Sequence, residues 1–569
     1  MPISSNLENF KIKKINIETF RKNFIDYLHI YSFFILNLFI ILVLVPPYSH
    51  VEYGTKIYEF TSTNMHLFDD KLFYVINFLF FPIMTIFLLN SKIKNTVLFL
   101  SIFSVHFFLI FLFLNALSLI FFYYINGVKF SIGNYDLFYV FLFFQISLLL
   151  FVNKNYKIKF LKFYNKYKKE IFLLFLILSI IASNFYSPFN YKAITDLKIL
   201  YDIKIFFSNY KNSILIFFIY SFLILSLIRF EKKFIKNIFY KSISYFALFI
   251  FFIIHVFYFD VSFEMNLHHY SPIYGPALHI SNGEGIPGVS AHSQYGYILF
   301  LILRFFFEFL PNSFGTTGLL IRIINITTLL VIILIFFKIS SNKLLSLLFA
   351  ALFIAFHYKN SVVNFSSFPS LLGIRNLVPL ISLYILLNLK EQKPFNLIII
   401  FLICLSSITS LESFIYTLVP YLSFVFLINF SKKNFKIITS IFLKTFIYIF
   451  IFHLLINFIY FIYFDKLINY KIYFEILQSM TISQWWPVPT LNLFFIPFLY
   501  FSFYGLSLIY CYHLLINFWN NEKNNEDYVF FKYFFCITSL GILMMIYYIS
   551  RSLPSNLHVV LIPLYFLIY

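Results

Sequence analysis

Charge is what this chain of 569 residues has least of: only 12% of it is Asp, Glu, Lys or Arg, against 61% hydrophobic residues and a mean hydropathy of +0.85. That scarcity excludes an ordinary soluble domain, in which about a quarter of residues are charged. Repeated apolar runs of about 20 residues place the chain among polytopic membrane proteins instead. Cysteine is nearly absent. Cys404, Cys511 and Cys536 each sit within an apolar run, with no CxxC and no paired loop positions, and they say nothing about redox chemistry or metal binding. Acids are scarce as well, 23 against 43 Lys and Arg, giving a formal charge of +20. The lysines cluster in short segments between apolar runs, where the positive-inside rule puts them, so the charge speaks of topology and not of nucleic acid. The first 28 residues are Lys-rich and polar, without a short apolar core ahead of a small-residue cleavage site, so no cleavable signal is expected. The abundant Phe, Tyr, Ile, Lys and Asn partly reflect a composition bias, and aromatic richness alone carries no functional weight.

Apolar runs near 28–45, 72–90, 96–124, 136–152, 171–187, 212–228 and 243–259 make seven spans. The basic segments Ser91–Asn95, Asn153–Glu170 and Arg229–Lys241, like the start of the chain, then fall on the cytoplasmic side. The seventh span delivers Asp260 to the outer face. Further runs follow near 295–310, 318–337, 344–357, 371–389, 396–411, 412–430, 437–463, 491–518, 529–549 and 559–569. Parity decides the first of these. If 295–310 crossed, the basic segments Lys338–Lys343, Lys390–Lys393 and Ser431–Lys436 would lie outside; if it does not, all three return to the cytoplasm. The run also carries Arg304 and Glu308 four residues apart, costly at bilayer depth but natural in a helix lying in the interface. The reading is therefore an all-α polytopic membrane protein of about 16 transmembrane helices, with 295–310 interfacial. Residues 1–240 form an N-terminal six-span membrane module of unknown role and 241–569 a second membrane module. The Arg229–Lys241 segment is the seam. No internal repeat is visible.

Glycine, scarce elsewhere, is concentrated once. The polar island from Asp260 to Gly296 holds five of 13 glycines, four of 13 histidines and the carboxylates Asp260, Glu264 and Glu284. Lipid does not demand such a cluster. Asp260 and Glu264 follow a span four residues apart, and a carboxylate partly shielded from water there suits a general base toward a hydroxyl or amine; a plain water-boundary role is the bland alternative. Tyr274-Gly275-Pro276, Gly283-Glu284-Gly285 and Pro287-Gly288 are turn chemistry that lets backbone approach a ligand. His268, His269, His279 and His292 with the acids have the chemistry of a divalent-metal site, but their spacing matches no ligand signature. Polar packing or substrate hydrogen bonds are the preferred reading, and no cofactor is firmly expected.

The single interfacial assignment brings other rare polar residues to the same outer side. Arg551, with Ser552, Ser555, Asn556 and His558 behind it, suits a phosphate or pyrophosphate, or simply an interfacial anchor. Arg375, in Gly373-Ile374-Arg375-Asn376, lies just inside the outer end of its span and is read as a second phosphate contact. Glu412 sits at a tight outer turn, where it pairs with either arginine or meets a sugar hydroxyl. Trp485 and Trp486 suit either a sugar platform or an aromatic belt, and the belt is the safer reading.

An acid just after an outward-going span, a long first outer loop with interfacial helices and a following series of spans resembles the GT-C superfamily of membrane glycosyltransferases, among them protein O-mannosyltransferases and bacterial aminoarabinose transferases. The elements H-H-Y-x3-Y-G-P, S-Q-Y-G, G-I-R-N, S-L-E-S-F-I-Y and R-S-x-P-S-N-L-H are similar to segments of bacterial membrane proteins of this kind. The likeness covers about 240–569. It implies a polyprenyl-phosphate-linked sugar donor and work at the periplasmic face of the cytoplasmic (inner) membrane. Asp260 or Glu264 would be the base and Arg551 and Arg375 the phosphate contacts. His268, His269, Tyr274, Gln294, Tyr295, Glu412, Asn556 and His558 would make further substrate contacts. The acceptor, whether glycan, lipid or protein, is unspecified. Two departures stand out: no adjacent Asp-Glu pair follows the span, and no large soluble domain follows the last one. A transporter or flippase for a lipid-linked or anionic solute is the alternative, and a polysaccharide polymerase or ligase a further one.

Overall fold

The computed structural model describes residues 17–44, 74–91, 93–126, 144–146, 148, 154–175, 267–293, 295–339, 343–358, 372–389, 395–431, 434–472, 474–475, 495–519, 525–550, 562–564 and 566–567. Among them every regular element is helical, and the only extended pairing is an isolated bridge between Pro287 and Ala291. In chain order the helices are α1 Ile17–Leu44, a π-turn Ile76–Phe80 running into α2 Phe81–Asn90, α3 Lys94–Asn126, α4 Lys154–Lys166, α5 Leu267–Ser281, α6 Ile298–Phe307, α7 Phe314–Ile339, α8 Lys343–Tyr358, α9 Gly373–Asn388, α10 Leu397–Ser407, α11 Leu411–Ser431, α12 Phe435–Phe464, α13 Phe495–Trp519 and α14 Asn525–Ser550.

Helical structure suits a chain with so little charge in lipid, where only helices and closed barrels satisfy all backbone groups and apolar runs of about 20 residues have helix length. Three described helices, Phe314–Ile339, Leu411–Phe430 and Phe435–Phe464, are long and apolar enough to cross a membrane. The described residues are thus all-α, with membrane-type helices among them. The expected total of about 16 spans depends partly on runs outside the described residues. The ten residues of α6 reach only about 15 Å, half a hydrocarbon core, which suits a helix that does not cross. Its Arg304 pairs with Glu308 on the exposed side, while Leu299, Phe300, Leu303 and Phe307 face inward.

Polar residues set the helix ends. The Ser313 hydroxyl accepts from Thr316 N at the start of α7, and Ser410 from Ser413 N at the start of α11. Asn396 accepts from Ile398 N and Ile399 N, opening α10. Asp465 closes α12 in the left-handed region, φ 50°. At the far end, Lys532 of α14 donates to Leu389 O at the end of α9 (2.9 Å).

Two apolar clusters result. The larger joins α1–α4 to α7–α14, with Tyr31 and Tyr504 fully buried in it. The glycines there are structural. A Cβ at Gly505 would overlap the Tyr31 ring, and one at Gly541 the Tyr504 ring, so α1 packs on α13 and α13 on α14 at close range. Tyr27 and His513 (3.1 Å) and Ser32 and Ser502 (3.2 Å) add hydrogen bonds along the α1–α13 contact. The smaller cluster is a cap built by α5, α6, the start of α7 and the segments around Ile408, Tyr460 and Ile468.

Candidate functional site

The cap and the helix starts beneath it bring together residues far apart in the chain. Gly296, at φ 71°, lies so close to the α10–α11 turn that a Cβ would overlap the carbonyl oxygens of Ile408 and Thr409, and Tyr297 N donates to Ile408 O (3.3 Å). Asn469 N donates to Gly288 O (2.8 Å), tying the segment after α12 to the same loop. Gly373 N donates to Asn325 Oδ1 (3.0 Å), which seats the start of α9 against the middle of α7. The polar segments of the second half that are described here therefore meet at one end of the bundle.

At the centre of that end lies Arg375, 2% exposed, in the first turn of α9. Its Nε stands 3.5 Å from Glu412 Oε1 in the first turn of α11, and its guanidinium carbon is 5.5 Å from the centre of the buried Tyr295 ring. Glu412 suits a helix N-terminus, whose partial positive charge favours an acid. The pair makes burial of an arginine tolerable, since a lone buried charge is far costlier than a paired one. Both α9 and α11 point their N-terminal turns here, and Asn376 and Ser413 follow Arg375 and Glu412 on their respective helices. Asn376 is fully buried, and among the described residues neither its amide nitrogen nor its amide oxygen has a hydrogen-bond partner; nor has the buried Ser413 hydroxyl. The layer thus places an amide and a hydroxyl next to the charged pair.

Behind the layer runs a hydrogen-bond chain that sequence reading missed. Asn457 Nδ2 donates to the Tyr470 oxygen (2.8 Å), Tyr470 lies 2.9 Å from His453 Nδ1, and His453 Nε2 lies 2.9 Å from Ser407 Oγ. Ser407 itself donates to Cys404 O (2.6 Å). Burial pushes the Tyr470 phenol up from its ordinary value, so it keeps its proton and donates to Nδ1. The serine proton being directed to Cys404, the imidazole is the donor from Nε2, and one neutral tautomer satisfies the whole chain. Asn457 Oδ1 also accepts from Ile468 N (3.1 Å), so α12 holds the segment that braces Gly288.

Of the residues expected in the site, Arg375, Glu412 and Tyr295 come together. Tyr274 does not join them: its hydroxyl donates to Asn312 O (3.2 Å) and its ring stacks on Phe314, centroids 4.2 Å apart. His268 and His269 fall within α5, their side chains outside the described residues. Asp260, Glu264, Gln294, Arg551, Asn556 and His558, like Trp485 and Trp486, lie outside the described residues. His279 pairs with Glu284 at 3.3 Å on the surface, and His292 Nε2 donates to Val289 O (3.0 Å) within its own turn. Among the described residues no three His, Cys, Asp or Glu gather as metal ligands would.

Asn325, Asn376, His453 and Asn457 were the overlooked members, and a signal existed. Each is an amide or imidazole inside an apolar helix, where polar side chains are expensive and face the bundle interior. Comparison with protein-family models, with curated proteins and with solved structures finds no match to this chain.

Proposed function

We propose that the chain is a membrane glycosyltransferase that moves a sugar from a polyprenyl-phosphate carrier to an acceptor at the outer face of the cytoplasmic membrane. The observation that carries the reading is the buried Arg375–Glu412 pair, with Asn376 and Ser413 next to it in sequence and without side-chain partners among the described residues. It lies beside the described loop that carries Gly288 and Gly296, in the layer where the first turns of α9 and α11 converge. Unmet amide and hydroxyl groups are suited to the hydroxyls of a sugar, and an arginine clamped by a glutamate adds a polar wall with little net charge. In this reading Arg551 takes the lipid phosphate. Arg375, its Nε 3.5 Å from Glu412 Oε1, is the second phosphate contact. Asp260 or Glu264 removes the acceptor proton as the bond from the anomeric carbon to the phosphate oxygen breaks. The phosphate departs with that bonding pair, and the acceptor oxygen or nitrogen forms the new bond with inversion.

The test uses membranes holding the full chain, a radiolabelled polyprenyl-phosphate sugar and a total envelope extract as acceptor. Asp260→Asn or Glu264→Gln is expected to abolish label transfer, by 10²-fold or more on the order expected for a general base, while the protein level holds. Full transfer in both variants overturns the mechanism.

A further inference from the structure

The first half of the chain carries a second surface with its own chemistry. Helix α4 continues past Lys166, because Tyr167 N donates to Phe163 O and Ile171 N to Tyr167 O (3.0 Å each). At about 100° per residue, its side chains sort into three adjoining faces. The inner face is fixed to the bundle. The Phe160 ring packs on Phe103 and Phe99, centroids 4.3 and 5.4 Å away, and the Tyr164 hydroxyl donates to the buried Asp26 of α1 (3.0 Å). Lys168 Nζ sits 2.6 Å from the same carboxylate. The outer side splits into two stripes. Tyr156, Phe163 and Tyr167, 69%, 54% and 37% exposed, form one; Lys159, Lys162, Lys166 and Lys169, all exposed, form the other. Among the described residues none of these four lysines has an ion-pair partner; Glu170 is the single acid in their stripe and forms no salt bridge with them.

We propose that this face is a binding surface for anionic phospholipid headgroups of the cytoplasmic leaflet. Aromatic rings on one edge suit the boundary between acyl chains and headgroups, and flexible lysines on the next reach phosphates above it. A row of juxtamembrane lysines is worth about 1 kcal/mol each at an anionic surface. The inner anchors explain the division of labour: Lys168 is held by Asp26, so the other lysines are presented by a rigid support and not by a loop.

The experiment measures retention of fluorescent phosphatidylglycerol by the purified full-length protein in neutral detergent, with fluorescent phosphatidylcholine as reference. Wild type is expected to hold the anionic lipid at least about fivefold better than the neutral one. Sodium chloride at 1 M should erase the difference, since the Debye length falls to about 3 Å there. The variant K159Q/K162Q/K166Q/K169Q is expected to lose the preference, and the fourfold Lys→Arg variant to keep it. Equal retention of both lipids by wild type, an unchanged preference in the Gln variant, or displacement by millimolar inorganic phosphate overturns the proposal. The salt and phosphate arms need only wild-type protein, so they decide even if the Gln variant fails to fold.

Discussion

At the scale of single residues, the Arg375–Glu412 pair decides most. Arg375 is buried and Glu412 is 24% exposed, so the two partners do not stand to lose equally. Glu412→Gln leaves a desolvated guanidinium without its counter-charge, and breaking a buried pair in this one-sided way typically costs about 3–5 kcal/mol. The lower end, about 3 kcal/mol, is expected here because Glu412 keeps some contact with water. The measurement is the thermal midpoint of the detergent-solubilised protein. The doubly apolar variant R375L/E412L is expected to melt closer to wild type than E412Q does. A wild-type midpoint for E412Q would show that the pair contributes nothing. The pair was half legible in the sequence: both residues stood out as charges at outer span ends, and pairing was one of two expectations for Glu412. Asn376 carried a signal as an amide in an apolar helix, but Ser413 was not legible, because a hydroxyl in an apolar run satisfies itself on a neighbouring carbonyl as often as not.

Among the three described helices long and apolar enough to cross a membrane, α12 is the least buried. Only 11% of its apolar window is buried, and its outer side is a continuous series of Phe, Ile, Leu and Tyr. Its hold on the cap therefore depends on the inward polar chain through His453 and Asn457, together with the Tyr297–Tyr460 ring contact, centroids 6.4 Å apart. His453→Leu removes the acceptor for Tyr470 and the donor to Ser407 at once, leaving two polar groups to be met elsewhere at about 1–3 kcal/mol each. The segment 465–472 is expected to become protease-sensitive in His453→Leu while the rest of the chain stays resistant, read by limited digestion and peptide mapping. Unaltered digestion would mean that the chain does not hold this segment. Most described helices were readable from apolar runs, but α4 lies in a segment that reads only as basic, and α5 runs through Tyr274-Gly275-Pro276, which reads as turn. The caps at Ser313, Ser410 and Asn396 explain where helices start more sharply than hydropathy does, since lipid favours any apolar residue equally along a run.

For the molecule as a whole, the described helices place Gly288, Gly296, Gly373, Glu412 and Asn469 at one end and the Lys532–Leu389 contact at the other. Single cysteines at Ser290, Asn312 and Lys466 are expected to react with a membrane-impermeant maleimide from one side only, and cysteines at Lys343 and Lys436 from the other. Reaction of Ser290→Cys and Lys436→Cys from the same side would refute this orientation. The native cysteines leave the background quiet, as Cys404, Cys511 and Cys536 are all buried. What hydropathy did not convey is how the first helix meets the last ones. Ser32 and Ser502 touch across 470 positions of chain, and the Tyr31 ring fills a notch that exists only where Gly505 has arrived. At a synthesis rate of about 5–20 residues per second, α1 waits on the order of half a minute to a minute and a half for its partner to leave the ribosome. During that interval its serine and tyrosine groups sit in the insertion machinery or in lipid without their eventual company. Assembly of this protein is therefore a closing event timed by translation, with the opening segment parked until the final ones are made.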